Sequence, residues 1–186
     1  MKHNQMRQVV FPILAAFIWG TAFVAQDMCA DAIGTFTFNA ARYSIAVLAL
    51  LVVIVISDKL KKDKPVLSAE EKKAANRQLW IGGLCCGAAL SIASNFQQAG
   101  LVAGTDAGKA GFITALYIVL VPLAGMFLGK KANKRLFLCV LIAVVGLYFL
   151  CFTGSEGAMS FGRGDFLVFL CAFAFTGHIL CVDHYV

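Results

Sequence analysis

Long apolar runs alternate with short charged links along this chain. The clearest run is Thr105–Lys131, T-D-A-G-K-A-G-F-I-T-A-L-Y-I-V-L-V-P-L-A-G-M-F-L-G-K-K. Charge and glycine open it, about 20 apolar residues follow, and a lysine pair closes it; that is the length an α-helix needs to cross a bilayer. Five more runs have the same character: Val9–Gln26, Ile33–Ser57, Leu79–Val102, Leu136–Thr153 and Asp165–Val182. The pattern predicts an all-α integral membrane protein, a polytopic helix bundle of about six transmembrane helices.

Polar residues inside the runs fall at helical spacing. In the first span Trp19, Phe23 and Gln26 share a face, and Pro12 lies in the first turn, where a missing N–H costs least. In the second, Asn39, Arg42 and Tyr43 share a face and Ile45–Ile56 is almost entirely aliphatic. The third carries Gly83, Gly87, Ser91 and Asn95 at every fourth position, a small-residue ladder that lets another helix approach closely. Beside it run Ser91, Ser94, Asn95, Gln97 and Gln98. Gly104, Gly108 and Gly111 at the entry of the fourth span are expected to pack on that ladder. Between the second and third spans, Ser68-Ala69-Glu70-Glu71 reads as an N-cap with acids in the first turn, predicting a short surface helix.

Charge adds direction. Only 14% of the residues are charged and the mean hydropathy is +0.82, whereas a soluble globular chain is about a quarter charged. The net charge of +6 does not call for nucleic acid as a partner, because the basic residues stand at the ends of apolar runs. Lys2 and Arg7, the Asp58–Gln78 loop, and Lys130, Lys131, Lys134 and Arg135 hold nearly all of them. The other links hold only Lys109 and Arg163 beside five acids. Basic and acidic links alternate, which predicts a cytoplasmic N-terminus, with the lipid bilayer of the cell membrane as the partner surface. Lys2 and Arg7 before an apolar run, with Ala30-Asp31-Ala32 after it, also resemble a signal peptide; the further spans favour an uncleaved first helix. Seven cysteines, none in a C-x-x-C pair, read as small packing residues, not as a disulfide framework.

A faint internal repeat joins the first and last spans. Ala16–Asp27 and Ala172–Asp183 align without a gap at Ala, Phe, an aromatic position (Trp19 and Phe175) and the closing Asp. The two spans cross in opposite directions, as an inverted repeat requires.

Several of these strings together resemble a family. They are W-G-T-A-F in the first span, N-x-x-R-Y in the second, and G-K-A-G-F-I-T-A-L-Y-x-V-L-V-P-L in the fourth. G-L-Y-F-L in the fifth and G-D-F-L-x-F-L-C-A-F-x-F-x-x-H-I-L in the sixth complete the set. In order and spacing they resemble the EamA-type drug/metabolite transporters over essentially the whole chain. The resemblance implies a ten-helix fold of two inverted five-helix repeats around a midplane cavity. It also implies export or exchange of amino acids or related small metabolites without ATP hydrolysis. On this reading residues 1–157 form the first repeat, and 158–186 a linker with the first helix of an incomplete second repeat. The missing repeat, or a second copy of the chain, would then complete the cavity. The alternative is a truncated or non-transporting membrane subunit that packs with partner helices.

Candidate site residues follow from depth. Arg42 lies about nine residues into its span, roughly 13 Å from the outer end and near the midplane. A charge there faces a cavity or a partner. It either receives an anionic group such as a substrate carboxylate, or bonds carbonyls, Asn95 and Gln98 and pins helices together. Asn39 shares its face. Ser91, Asn95 and Gln98 either line a water-filled path or bond between helices. Lys109, in the first turn of its span, is either a residue of the outer mouth or an anchor reaching toward Asp106. Trp19 and Tyr117, mid-helix, suit a cavity wall as well as packing, and Thr114 stands one turn from Tyr117. His178 is either a proton-coupling group or a hydrogen-bonded bundle residue. With Cys181 and His184 it steps by three around a helix, so no metal site is expected. Pro122 leaves a carbonyl unpaired and is the hinge candidate. No Ser–His dyad, H-E-x-x-H or paired carboxylates occur at membrane depth, so no enzyme and no cofactor is expected.

Overall fold

The computed structural model describes residues 2–60, 68–129, 134–152 and 161–185. Seven helices are seen among them: α1 (Lys2–Met28), α2 (Thr35–Leu60), α3 (Ala69–Val102), α4 (Ala107–Ala115), α5 (Tyr117–Phe127), α6 (Lys134–Phe152) and α7 (Arg163–Tyr185). No strand occurs among the described residues. Much of the basic loop, Lys130 and Lys131, and most of the glycine-rich link lie outside them.

Among the described residues, five spans are long and apolar enough to cross a membrane: Val9–Met28, Thr35–Leu60, Ala69–Val102, Ala107–Phe127 and Arg163–Tyr185. A sixth, shorter apolar stretch, Phe137–Gly146, lies in α6. The side chains agree with that solvent. From Val47 to Ile56, α2 exposes every residue, nearly all aliphatic. A helix apolar all round is stable only inside a protein or a bilayer. The chain is a multi-pass helical membrane protein.

The third span differs from expectation at its start. Ser68 caps it: its hydroxyl accepts from Glu71 N–H at 3.2 Å, and Glu71 Oε2 accepts from Ser68 N–H at 2.8 Å. No separate surface helix follows, because nothing between Ala69 and Leu79 breaks the backbone ladder. One helix of 34 residues results. At 1.5 Å per residue it is about 51 Å long, so its charged first turns extend beyond a core about 30 Å thick.

The core is an antiparallel pairing of α3 with α7. Gly82, in the first half of α3, faces Tyr185 at the end of α7, while Gly100, near the end of α3, faces Gly164 and Val168 at the start of α7. A Cβ at Gly100 would overlap the Val168 side chain and come within 2.8 Å of the Gly164 carbonyl. Small residues let these backbones nearly touch. The Gly83–Gly87–Ser91 ladder is not that contact: nothing lies within 4 Å of a Cβ at Gly83 or Gly87, and that face is exposed. The glycines entering the fourth span also differ from expectation. Gly104 makes a turn at φ 96°, and Gly111 packs on Phe23 of α1, not on α3.

Two small apolar clusters fill the bundle. Ala30, Leu101, Ala110, Ile113 and Val168 pack together near one end. Ala93, Cys171 and Phe175 pack with Leu90, Phe96 and Tyr117 toward the middle. α6 joins through Gly146, where a Cβ would come within 2.9 Å of the Phe112 ring.

Candidate functional site: a cavity between five helices

Between the clusters the helices leave a cavity of about 470 Å³. α1 contributes Trp19, Ala22, Phe23 and Gln26; α2 contributes Arg42, Tyr43 and Ala46. α3 adds Leu90, Ser94 and Gln97, α4 adds Thr114, and α7 adds Phe175 and His178. A space of this size, largely apolar with a few converging polar groups, is typical of a small-molecule site.

Arg42 is the organising side chain. Its Nη1 donates to Gln26 Oε1 at 2.8 Å and its Nη2 to Asn39 Oδ1 at 2.9 Å. Its guanidinium carbon lies 5.1 Å from the Tyr43 ring centroid and 5.6 Å from that of Phe38. These partners are all neutral, and Nε is buried with no partner. The cation is therefore held in place by amide oxygens and ring faces, with no carboxylate among its described partners.

Amides and hydroxyls hold that arrangement. Asn39 Nδ2 donates to Asn95 Oδ1 and to the Ser94 carbonyl, both at 3.1 Å. Gln98 Nε2 donates to the Gln26 carbonyl at 3.3 Å, while its Oε1 is buried without a partner. Gln97 donates to Thr114 Oγ1 at 3.2 Å, and Tyr43 bonds Ser94 through its hydroxyl. Helices α1, α2, α3 and α4 are thus tied together by polar contacts around Arg42. A buried network of this kind fixes one geometry, since any break strands a polar group in a low-dielectric interior.

An aromatic wall closes the other side. The rings of Trp19, Tyr117 and Phe175 lie with all three centroid distances at 6.1 Å. Trp19 and Phe175 are the aligned aromatic positions of the faint repeat, and they meet here. His178, one turn on from Phe175, places Nδ1 2.9 Å from the Cys86 carbonyl.

Of the sequence-derived candidates, Trp19, Arg42, Thr114 and His178 line the cavity. Asn39, Gln98 and Tyr117 stand directly behind it, each bonded or stacked to a lining residue. Asn95 is one bond further out, and Ser91 accepts from Asn95 through its carbonyl at 2.8 Å while its own side is exposed. Arg42 does not bond Asn95 or Gln98 directly. Lys109 lies elsewhere: its ammonium is 2.6 Å from Asp165 Oδ2 in α7, and Asp165 also accepts from Thr105 Oγ1 at 3.0 Å and Gly162 N–H at 2.8 Å. Asp106 instead caps α4, accepting from the Lys109 backbone N–H at 2.8 Å. Pro122 lies inside α5, and the interruption of the fourth span falls at Leu116, six positions earlier.

Gln26, Tyr43, Ser94, Gln97 and Phe175 also belong to this region. Each was visible in a polar or repeat pattern, but a stripe along a helix does not say which of its edges points inward. α3 presents Ser94 and Gln97 to the cavity because its Ala93–Gln97–Gly100 edge is turned to α7.

Fold and cavity together define a multi-pass membrane protein with a pre-formed cavity, largely apolar and bearing a few converging polar groups, among its helices. The sequence model of the EamA-like transporter family matches residues 6–152, and the chain belongs to that family. A relative from Archaeoglobus fulgidus, described as an uncharacterized transporter, is 34% identical over 173 residues. That match covers 92% of this chain and 47% of the relative, so the chain spans about half the relative's length. No solved structure matches.

Proposed function

We propose that this chain supplies one half of a secondary transporter that moves small polar metabolites bearing an anionic group, amino acids among them, through the Arg42 cavity. The observation that carries the reading is the state of Arg42: a cation at membrane depth, lining a metabolite-sized space, with only neutral partners. A charge so placed is costly unless something compensates it, and a substrate carboxylate would do so. Gln26 and Asn39 hold the guanidinium in place, and the aromatic wall accepts the apolar part of the ligand. Family membership and the relative's description support transport as the activity.

The test is binding and flux of a panel of amino acids by the purified protein and its Arg42→Gln variant. Losing a charged hydrogen bond of about 1.5–3 kcal/mol predicts roughly 10- to 100-fold weaker binding. Unchanged affinity in a folded variant would overturn the assignment of Arg42.

The relative's double length supports a second five-helix repeat, or a second copy of this chain, completing the cavity. The competing reading, a subunit that only packs with partner helices, predicts no substrate movement under any pairing. Liposome flux, measured for this chain alone and with a supplied second half, separates the two. We further place the protein in the cell membrane with its N-terminus in the cytoplasm, on the strength of the alternating basic and acidic links.

A further inference from the structure

We infer that His178 is a proton-carrying second anion ligand of the cavity, so that proton and anion bind together. The inference rests on the anion-binding reading of Arg42 and goes one step beyond it.

The tautomer comes first. A backbone carbonyl only accepts, so the 2.9 Å contact with Cys86 requires a proton on His178 Nδ1. In the neutral ring the remaining lone pair is then on Nε2. Among the described residues, Nε2 bonds nothing. The Cys86 bond survives in both charge states, since the imidazolium donates from both nitrogens. Protonation at Nε2 therefore breaks no contact and adds a donor and a charge to a residue of the cavity wall.

The surroundings set what that charge does. α2 contributes Arg42 and Tyr43 to the cavity, α3 brings Cys86 with Cys85 beside it, α5 brings Tyr117 of the aromatic wall, and α7 itself carries Cys181. α1 and α4 contribute only neutral side chains. Phenols and thiols are uncharged below neutral pH, and no carboxylate lines the cavity, so Arg42 is the fixed charge that matters. The empty cavity with a protonated His178 holds two like charges. An anion between them attracts both and removes the repulsion. Proton and anion thus favour each other's binding, and by linkage the effect is reciprocal. In a transport cycle the consequence is that the anion travels with a proton, and a second acidic group on the ligand finds a second cation.

Formate is a suitable probe, since it is small and remains ionised through the range in which histidine titrates. The chain, labelled with nitrogen-15 in histidine and arginine, is titrated in detergent micelles from about pH 8 to about pH 5 with and without formate. The expected result is an upward move of the His178 midpoint on adding formate, while exposed His184 reports the general salt effect. The formate concentration that half-saturates the Arg42 signal should fall at least about fivefold between pH 8 and pH 5.5. In His178→Asn, whose amide can still donate to the Cys86 carbonyl, that pH dependence should vanish. Formate shifting Arg42 while the His178 midpoint stays still would overturn the inference and leave the Arg42 reading standing. Formate shifting neither residue would overturn both. Should the variant not fold, the wild-type titration decides alone.

Discussion

At Gly100, one added methyl group would meet Val168 and the Gly164 carbonyl; at Gly83 and Gly87 it would meet nothing within 4 Å. Overpacking a tight contact costs about 1–3 kcal/mol. Gly100→Ala should therefore lower the thermal unfolding midpoint in detergent, while Gly83→Ala and Gly87→Ala leave it within error. Equal effects at all three would mean that α3 and α7 do not approach as described. The same logic of partners applies to Arg42 and Lys109, two cations that lie within membrane-spanning helices. Composition cannot tell them apart. Geometry does: Lys109 is paired with a buried carboxylate, and Arg42 with amides only. Lys109 is therefore engaged in an ion pair, while the charge of Arg42 meets no carboxylate among the described residues.

Among the helices, the Lys109–Asp165 pair joins the start of α4 to the start of α7. Removing one member of a buried pair leaves an uncompensated charge and costs about 3–5 kcal/mol, whereas replacing both costs much less. Asp165→Asn should thus be markedly destabilising, and Lys109→Met with Asp165→Asn less so than the single change. A thermal-shift double-mutant cycle reads this directly; additive losses would mean the pair contributes nothing as a pair. The fourth span breaks at Leu116, where Leu116 N–H bonds the Ile113 carbonyl at 3.2 Å and Val119 N–H bonds the Leu116 carbonyl at 2.9 Å, both three residues apart. Pro122 weakens the next turns by removing one N–H. If these two features form a hinge, α5 tilts on α4 there. Pro122→Ala is expected to slow transport at unchanged binding affinity. Neutrality for both transport and stability would make the proline incidental.

Over the whole molecule, the alternating links predict sidedness. Single cysteines introduced at Ser68 and Lys72 should react with an impermeant thiol reagent from the cytoplasmic side, and one at Phe161 from the other side. The native cysteines would be replaced first. Labelling of all three from one side would refute the alternating topology. α3 adds a second consequence: since it outruns the bilayer by about 20 Å, its Lys72–Arg77 turns should label as helix in water, with a 3.6-residue period.

Periodicity and charge alone determined that this chain crosses a membrane several times, roughly where each span lies, and which residues at depth needed a partner. Those properties come from transfer of side chains between water and hydrocarbon, which each segment experiences by itself. The Ser68 cap was legible for the same reason, its hydrogen bonds being local. Tertiary structure decided the rest. It chose which edge of α3 faces α7, and so brought Ser94 and Gln97 to the cavity and left Ser91 outside. It matched Lys109 with Asp165, 56 positions away, and gave Arg42 to Gln26 and Asn39. It set the third span as one long helix and the fourth as two. Inside a bilayer nearly every face of a helix is apolar, so burial pattern carries little information about rotation; contact between small residues and the satisfaction of buried polar groups fix it instead, and both depend on partners far away in the chain.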